Sequence, residues 1–251
     1  MDQLKKNNIF QFPEACFIGQ KIGKALFAEN GPLTATDRKT FRNDISEIIC
    51  SYILDDNHGI VLTPYADEEH DYTCLAQVDV FLKKTGKATR VAELCHRAMP
   101  YPLIVILHDA DNIMLSMAEK RFSRDGKEQV VLEQTINTEW VSESGLEEFQ
   151  KAVDFRNNKK QSFPELYRHY MAMLDVLRCA GITGSFSEAG LSPEERRKLL
   201  EELHQLELQL ATVKAKAKQE SNLSKQVELN LQAHEIVNLI STKKKNLSRG
   251  S

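Results

Sequence analysis

The sequence predicts an α+β fold, and three observations lead to it. Short apolar runs of strand length recur between turn signals, segments of helical periodicity separate some of them, and leucines near the end repeat at alternating spacings of four and three. The 251 residues suffice for one sizeable domain with an appendage. We therefore predict an α+β domain over residues 1–145, a helical connector over 146–190 and a long C-terminal helix or coiled-coil arm over 191–246.

An amphipathic helix is predicted ahead of the sheet. Thr34 and Asp37 have the spacing of a capping box, and turn-forming residues follow Leu54. Between these signals, apolar residues recur at spacings of three and four, as on one face of a helix. They are Phe41, Ile45, Ile48, Ile49, Tyr52 and Ile53. The whole segment is therefore predicted as one helix.

The next segment, residues 74–83, is predicted as a half-buried strand. Its even-numbered residues are apolar, whereas Gln77, Asp79 and Lys83 lie on the alternate face. We expect that second face to be in contact with solvent. Because an apolar face opposite a more polar one is typical of antiparallel sheets, the segment fits a sheet that is covered by helices on one side.

A helix over residues 91–99 and a meander of three strands complete the predicted domain. Pro100 and Pro102 end the helix, because proline lacks an amide donor and disfavours helix in the residue before it. An apolar strand, Leu103 to Leu107, follows, and Asp125-Gly126 joins two further strands as a hairpin. In total we expect about five strands, mostly antiparallel, with helices packed on them.

The rest of the chain is predicted to be helical. Ser162 and Glu165 mark one helix start, and Ser192 with Glu195 marks another. After the second start, apolar residues form the seam of a coiled coil, which would protrude, fold back or dimerise. The seam consists of Leu199, Leu203, Leu206, Leu210 and Val213, and it resumes at Val227 and Leu231. A displaced stripe of Leu229, Ala233, Ile236 and Ile240 indicates a change of face.

Composition limits the classes of function. A formal net charge of −3 predicts no general attraction to nucleic acid. We expect a cytoplasmic protein, because no apolar stretch is long enough for a membrane span and the N-terminus lacks a signal peptide. The five cysteines are scattered without a C-x-x-C pair, so neither a disulfide framework nor a structural zinc site is predicted. No phosphate-binding or dinucleotide-binding glycine motif is present.

Three sequence segments resemble a bacterial family known as domain of unknown function 4391. They are LAQVDVFLKK at residues 75–84, RAMPYPLIVIL at 97–107 and SNLSKQVELNLQAHEI at 221–236. Gln226 stands where that family has a lysine, and Lys225 comes one position earlier. The resemblance implies no activity. It implies an accessory protein encoded near helicases and DNA methyltransferases of restriction or antiphage systems.

Cys95 and His96 are adjacent residue types that could serve as a nucleophile and its base. On a helix, consecutive residues are about 100° apart and cannot face each other as such a pair must. Cys95 shares the apolar stripe of Val91 and Leu94, so we predict an inert core thiol. His96 and Arg97 are expected to face solvent.

A magnesium-dependent nuclease with a degenerate restriction-type core is the alternative enzyme hypothesis. Such a site needs converging carboxylates and a lysine. Its candidate residues are Glu69, Asp71, Asp79 and Lys83. The usual Glu-x-Lys pattern is missing, since Val80 and Phe81 follow Asp79, and Glu119 and Lys120 should point to opposite faces of a strand. Apart from magnesium under this hypothesis, no metal or cofactor is predicted.

The favoured hypothesis is a non-enzymatic interaction protein that assembles through its C-terminal arm. The partner would be a second copy of the chain, or a helicase or DNA methyltransferase of a restriction or antiphage system. Weak DNA binding through lysines of the arm is a further alternative, without base stacking because no aromatics are interleaved. The lysines concerned are Lys214, Lys216, Lys218, Lys243, Lys244 and Lys245.

Overall fold

A computed structural model describes residues 8–24, 33–123 and 126–249 of the chain. The chain divides into two compact units, Met1–Leu174 and Asp175–Ser251. Within the described residues, no helix is both long enough and apolar enough to cross a membrane.

The first unit contains a mixed sheet, to which seven strands contribute in the described part of the chain. In chain order the strands are β1 (Phe17–Lys21), β2 (Ile45–Leu54), β3 (Tyr65–Ala66), β4 (Asp71–Tyr72), β5 (Leu75–Leu82), β6 (Leu103–His108), β7 (Asn112–Ser123), β8 (Gly126–Asn137) and β9 (Val141–Ser142). The sheet order is β1-β2-β5-β6-β7-β8, with β9 beside β7, while β3 and β4 form a separate hairpin. All neighbours are antiparallel except β5 and β6. The α+β class and the mostly antiparallel sheet are therefore confirmed, whereas about five strands was too few.

Helices cover both faces of this sheet. On one face, α1 (Ala35–Asn43) and α2 (Ala88–Ala98) pack against apolar side chains of β2, β5 and β6. On the other, Tyr167 of α4 (Phe163–Thr183) bonds through its hydroxyl to backbone atoms of Leu103 and Ala118. A short helix, α3 (Glu147–Val153), contributes the buried Phe149 to an aromatic cluster with Phe10 and Tyr170. The central strands consequently have little contact with water.

The single long helix predicted before the sheet is wrong. Helix α1 starts at the predicted capping box, since Thr34 Oγ1 accepts from the amide of Asp37, but it ends at Asn43. Residues Ile45–Leu54 are instead strand β2. This strand has register shifts between Ile45 and Glu47 and between Cys50 and Tyr52. Because each bulge inserts a residue into the alternation, the apolar spacing resembles that of a helix.

Helix α2 and the strand after it follow the prediction more closely. The helix ends at Ala98, before Pro100, and β6 begins at Leu103, after Pro102. Cys95 is fully buried, as predicted for a core thiol. The expectation for His96 is wrong, because its side chain is also fully buried, and its Nε2 lies 3.0 Å from Ser116 Oγ. Burial holds the pKa of His96 well below its usual value. The strands β6, β7 and β8 form the predicted antiparallel meander, while Asp125 lies outside the described residues.

The second unit contains two long helices in place of one. Helix α5 (Pro193–Gln219) begins at the predicted Ser192 capping box, and α6 (Leu223–Arg249) follows after a short turn. Ion pairs from Lys243 to Glu202 and from Lys244 to Glu207 show that the chain folds back into an antiparallel hairpin. Its core lies between the two helices and includes Cys179, Leu200, Leu203, Val213, Ala233, Ile236, Ile240 and Leu247. The displaced stripe on α6 is thus the face that packs on α5.

Candidate functional site

A buried polar network lies at the centre of the sheet. The carboxylate of Asp79 on β5 is 2% exposed. It accepts hydrogen bonds from Ser51 Oγ on β2 and from Gln77 Nε2 at 3.0 Å. His108 Nε2, at the end of β6, lies 2.5 Å from Asp79 Oδ1. This contact turns Nε2 of the imidazole toward the carboxylate.

The parallel pairing of β5 and β6 brings these groups together. Phe81 lies opposite His108, and Asp79 lies opposite Ile106. The ring of Phe81 stacks on the imidazole, with centroids 4.5 Å apart and an interplanar angle of 13°. The stacking and the carboxylate contact hold the imidazole in one orientation. Such an arrangement provides an oriented imidazole at the carboxyl end of two parallel strands, a position where open sheets commonly bind ligands.

The environment of Asp79 differs from the prediction. The face carrying Gln77 and Asp79 was expected to contact solvent, but both residues are 2% exposed. The reason is that β5 is a central strand, paired on both sides, in a sheet with both faces covered. Buried polar side chains at such positions are stabilised by hydrogen bonds to one another, as Gln77 and Asp79 are here. Within this network, Gln77 Oε1 has no hydrogen-bond partner among the described residues.

The residues of the nuclease hypothesis are not brought together. Glu69 lies beside β7, because its carbonyl accepts from the amide of Phe122 at 2.7 Å. Leu115 of β7 pairs with Ile106 of β6, which in turn pairs with Asp79 of β5. Phe122 lies seven residues further along β7 than Leu115. At the usual rise of a strand, Glu69 is therefore roughly 20 Å from Asp79. Asp71 is on β4, just before the amino end of β5, whereas Lys83 follows the carboxyl end of β5. Among the described residues, no group of three His, Cys, Asp or Glu could hold a metal ion.

A second polar site is a cavity of about 340 Å³ beside the β3–β4 hairpin. It forms beyond the start of β6, since β7 continues past the pairing of Met117 with Ile104, and the segment around Glu69 lies against β7 there. The acidic segment therefore covers an exposed strand edge. The cavity is lined by Tyr65, Asp67, His70, Tyr72, Glu119, Lys120, Glu133, Pro164 and Arg168.

Glu119 and Lys120 both line this cavity, although they are adjacent on β7. Lys120 Nζ lies against the carbonyls of Met99 and Tyr101, just after α2, whereas Glu119 lines the cavity together with Tyr72 and Arg168. A register shift against β8 falls between Glu119 and Lys120, and the extra residue is Glu133 of β8, so the side chains of β7 keep their alternation. The sequence carries no signal for this irregularity, since the residues alone do not reveal where a bulge forms.

Lys120 is the most unusual of the lining residues. Its side chain is 6% exposed, and Nζ donates to the carbonyl of Met99 at 3.0 Å and to that of Tyr101 at 2.9 Å. Both carbonyls precede a proline of the Pro100-Tyr101-Pro102 segment. Burial lowers the pKa of Lys120 to about 7. The residue therefore secures the link between α2 and β6 and, near neutral pH, is partly an uncharged amine.

The helical hairpin presents an apolar surface. Six of the nine large apolar side chains that are exposed in the described residues lie on it, which marks it as the main exposed apolar region. They are Leu208, Leu223, Val227, Leu231, Val237 and Leu239. Leu223, Val227 and Leu231 follow one another at every fourth position of α6, roughly opposite the face that contacts α5. We call these three residues the outer row.

The predicted seam is divided between the two sides of the hairpin. Leu203 and Val213 are buried, and Leu199, Leu206 and Leu210 are partly buried against the same core. Val227 and Leu231 are exposed and belong to the outer row. Of the predicted lysines, Lys243 and Lys244 form ion pairs within the hairpin. The exposed lysines are Lys214, Lys216, Lys218 and Lys245.

Comparison with known proteins identifies the family. The family model described as Domain of unknown function (DUF4391) matches residues 10–239, and the chain belongs to this family. Comparisons with curated proteins and with solved structures find no match. The match extends into both units, so the sheet with its polar sites and the hairpin up to residue 239 fall within the family region.

Proposed function

We propose that this protein is a non-enzymatic accessory protein that assembles with a partner through the outer row of its helical hairpin. The partner is a second copy of the chain, or a helicase or DNA methyltransferase of a bacterial restriction or antiphage system. The second partner class is suggested by the gene neighbours that the family resemblance implies. The protein would then act by joining components, while the DNA chemistry belongs to its partners.

The observation that carries this proposal is the exposure of the outer row. Leu223 is 74% exposed, Val227 51% and Leu231 62%. Burying such side chains is worth about 1.5–3 kcal/mol each when complete. A partner helix with a complementary apolar face would cover three neighbouring positions at once, as in helix-in-groove recognition. The packing of α5 on the other side of α6 would not be disturbed.

Direct, weak DNA binding is a second candidate. Lys214, Lys216 and Lys218 are exposed, and none of them forms an ion pair with another described residue. They are available for phosphate contact, whereas Lys243 and Lys244 are engaged with glutamates. If these lysines bind DNA, affinity will fall steeply as the salt concentration rises. A filter-binding titration at several salt concentrations, with the triple variant Lys214→Gln, Lys216→Gln, Lys218→Gln, measures this directly.

The assembly proposal is tested by light scattering after size exclusion and by co-expression with the products of neighbouring genes. We expect the full chain to form an oligomer or a stable complex. The triple variant Leu223→Ser, Val227→Ser, Leu231→Ser should no longer form this oligomer or complex. Val61→Ser is the matched control, because Val61 is 97% exposed but lies in the first unit. A monomer that captures no neighbouring product would refute the proposal.

The nuclease alternative is tested separately. Purified protein would be incubated with supercoiled plasmid and Mg²⁺ or Mn²⁺. Cleavage that disappears in Asp79→Ala, while that variant keeps its circular dichroism spectrum, would overturn the non-enzymatic proposal. We expect no cleavage, because Asp79 lies far from Glu69 and Asp71, which are at the β3–β4 hairpin.

A further inference from the structure

The cavity beside the β3–β4 hairpin is lined by two opposite charges that the assembly proposal does not use. Its volume of about 340 Å³ is in the range of small-molecule sites. The carboxylate of Glu119 comes from β7, and the guanidinium of Arg168 comes from α4, one helical turn after Pro164. All of the lining residues belong to the first unit.

Neither of these two charges is neutralised within the described part of the chain. Glu119 is half-buried and Arg168 is exposed, and they form no ion pair or hydrogen bond with each other or with another described residue. The other carboxylates of the lining are engaged, since Glu133 accepts from Arg121 at 3.0 Å and Asp67 accepts hydrogen bonds from its own hairpin. The lining therefore leaves one charged acceptor and one charged donor for a ligand.

Tyr72 of β4 lies close to both charges. Its side chain is buried, and its hydroxyl forms no hydrogen bond with another described residue. Burial and then the charge of Glu119 raise the pKa of this hydroxyl, whereas the charge of Arg168 lowers it. Because the interaction between charges weakens with distance, the carboxylate and the guanidinium must both lie near the same phenol. The two charges thus face one space, along the wall that Tyr72 forms.

The pair of charges favours a ligand that carries both signs. A simple anion would bind Arg168 but would be repelled by Glu119, and a simple amine would have the opposite conflict. A zwitterion satisfies both groups, because its carboxylate accepts from the guanidinium while its ammonium group donates to the carboxylate. The rings of Tyr65 and Pro164 add apolar surface to the same cavity. This surface suits an apolar substituent on the ligand.

We propose that this cavity binds a free α-amino acid with an apolar side chain. Arg168 binds the α-carboxylate, Glu119 accepts from the α-ammonium group, and the side chain of the ligand lies against Tyr65 and Tyr72. Binding involves no covalent step. The proposal does not depend on the outer row, which belongs to the second unit.

The test is isothermal titration calorimetry of the full chain at pH 7 with L-phenylalanine and L-leucine. Each is compared with two analogues that lack one charge. For L-phenylalanine these are 3-phenylpropanoate and 2-phenylethylamine, and for L-leucine they are 4-methylpentanoate and 3-methylbutylamine. We expect an amino acid to bind at least about tenfold more tightly than its analogues, because each analogue leaves one charged group of the cavity without a partner. Failure of both amino acids to bind at millimolar concentration, or equal affinity for the analogues, would overturn the proposal.

Two lining variants assign the contacts. Arg168→Met should weaken binding of the amino acid at least about tenfold and remove its advantage over the amine, which has no group for the guanidinium. Glu119→Gln should likewise remove the advantage over the carboxylic acid. Arg42→Met and Glu139→Gln are the matched controls, since both residues are exposed in the first unit and neither lines the cavity. An unchanged preference in a lining variant that keeps its circular dichroism spectrum would overturn the contact assigned to that residue.

Discussion

His108 Nε2 lies 2.5 Å from Asp79 Oδ1, and the two residues stand on the only parallel pair of strands among those described. The same carboxylate accepts from Ser51 and Gln77, so three donors from three strands converge on one buried acceptor. Each donor would be left without a partner if the carboxylate were removed. The network therefore links β2, β5 and β6 through side chains as well as through backbone hydrogen bonds.

The first prediction concerns the loss of this carboxylate. Asp79→Asn replaces one acceptor oxygen by an NH2 group, which is a donor. Ser51, Gln77 and His108 already donate to this position, so donors would then face donors. We expect the free energy of unfolding to fall by about 2–4 kcal/mol, since buried groups lose partners. Urea unfolding at pH 7 measures it. Asp111→Asn, at an exposed position, should change stability by less than about 0.5 kcal/mol. Equal stability of the two variants would show that the network contributes nothing.

The second prediction concerns the ion pair that joins α1 to α2. Arg90 Nε and Nη2 donate to the two oxygens of Asp37, each at 2.9 Å, and Asp37 is 4% exposed. These hydrogen bonds from Arg90 hold the pKa of Asp37 well below its usual range. Because Arg90 is itself partly exposed, we expect Arg90→Met to lower the free energy of unfolding at pH 7 by only about 1–2 kcal/mol.

The effect of Arg90 should depend on pH in one direction. A depressed carboxyl pKa stabilises the fold above the unfolded pKa of about 4, and this contribution is lost as the pH falls through the folded value. The difference between wild type and Arg90→Met should therefore be constant from pH 7 to 5 and shrink below pH 4. Arg97→Met is the control, because Arg97 contacts Glu93 but not Asp37. A difference that persists unchanged at low pH would contradict this account.

Elements whose ends depend on local chemistry were predictable from the sequence. The caps at Thr34 and Ser192 and the prolines at 100 and 102 act through their own and adjacent backbone atoms. Strand β2 was not predictable, because two bulges give its buried residues a spacing close to that of a helix. Folding back of the arm was one of three alternatives, but the turn between α5 and α6 was not located, since the polar residues at 220–222 include neither glycine nor proline.

The polar sites were less predictable than the fold. The sequence indicated Asp79 as a candidate carboxylate, but its partners Ser51 and His108 are 28 and 29 residues away in sequence. Only the strand order brings them together. No local pattern marks Lys120 as buried, because its position against the carbonyls of Met99 and Tyr101 is a consequence of strand pairing. Tertiary pairing, which no local pattern encodes, therefore decides the environment of both residues.

The third prediction compares two leucines of α5. Leu203 is 2% exposed in the hairpin core, whereas Leu208 is 50% exposed. Leu203→Ala should lower the free energy of unfolding of the helical unit by about 2–5 kcal/mol, because a cavity remains. Leu208→Ala should change it by less than about 0.5 kcal/mol. Urea unfolding followed by far-ultraviolet circular dichroism compares them, and similar losses would mean that the hairpin does not pack as described.

The last prediction follows from the burial of Lys120. Its pKa is lowered to about 7 in the folded chain, whereas an unfolded lysine titrates near about 10.4. Between these values the unfolded chain binds more protons, so the stability of the fold rises with pH by up to about 1.4 kcal/mol per unit. Below pH 7 both states are protonated and this dependence disappears. Lys120→Met has no titrating group here, so its stability relative to wild type should decline steadily from pH 7 to 9. Urea unfolding across that range measures the slope, and parallel profiles for the two proteins would mean that Lys120 keeps its proton when buried.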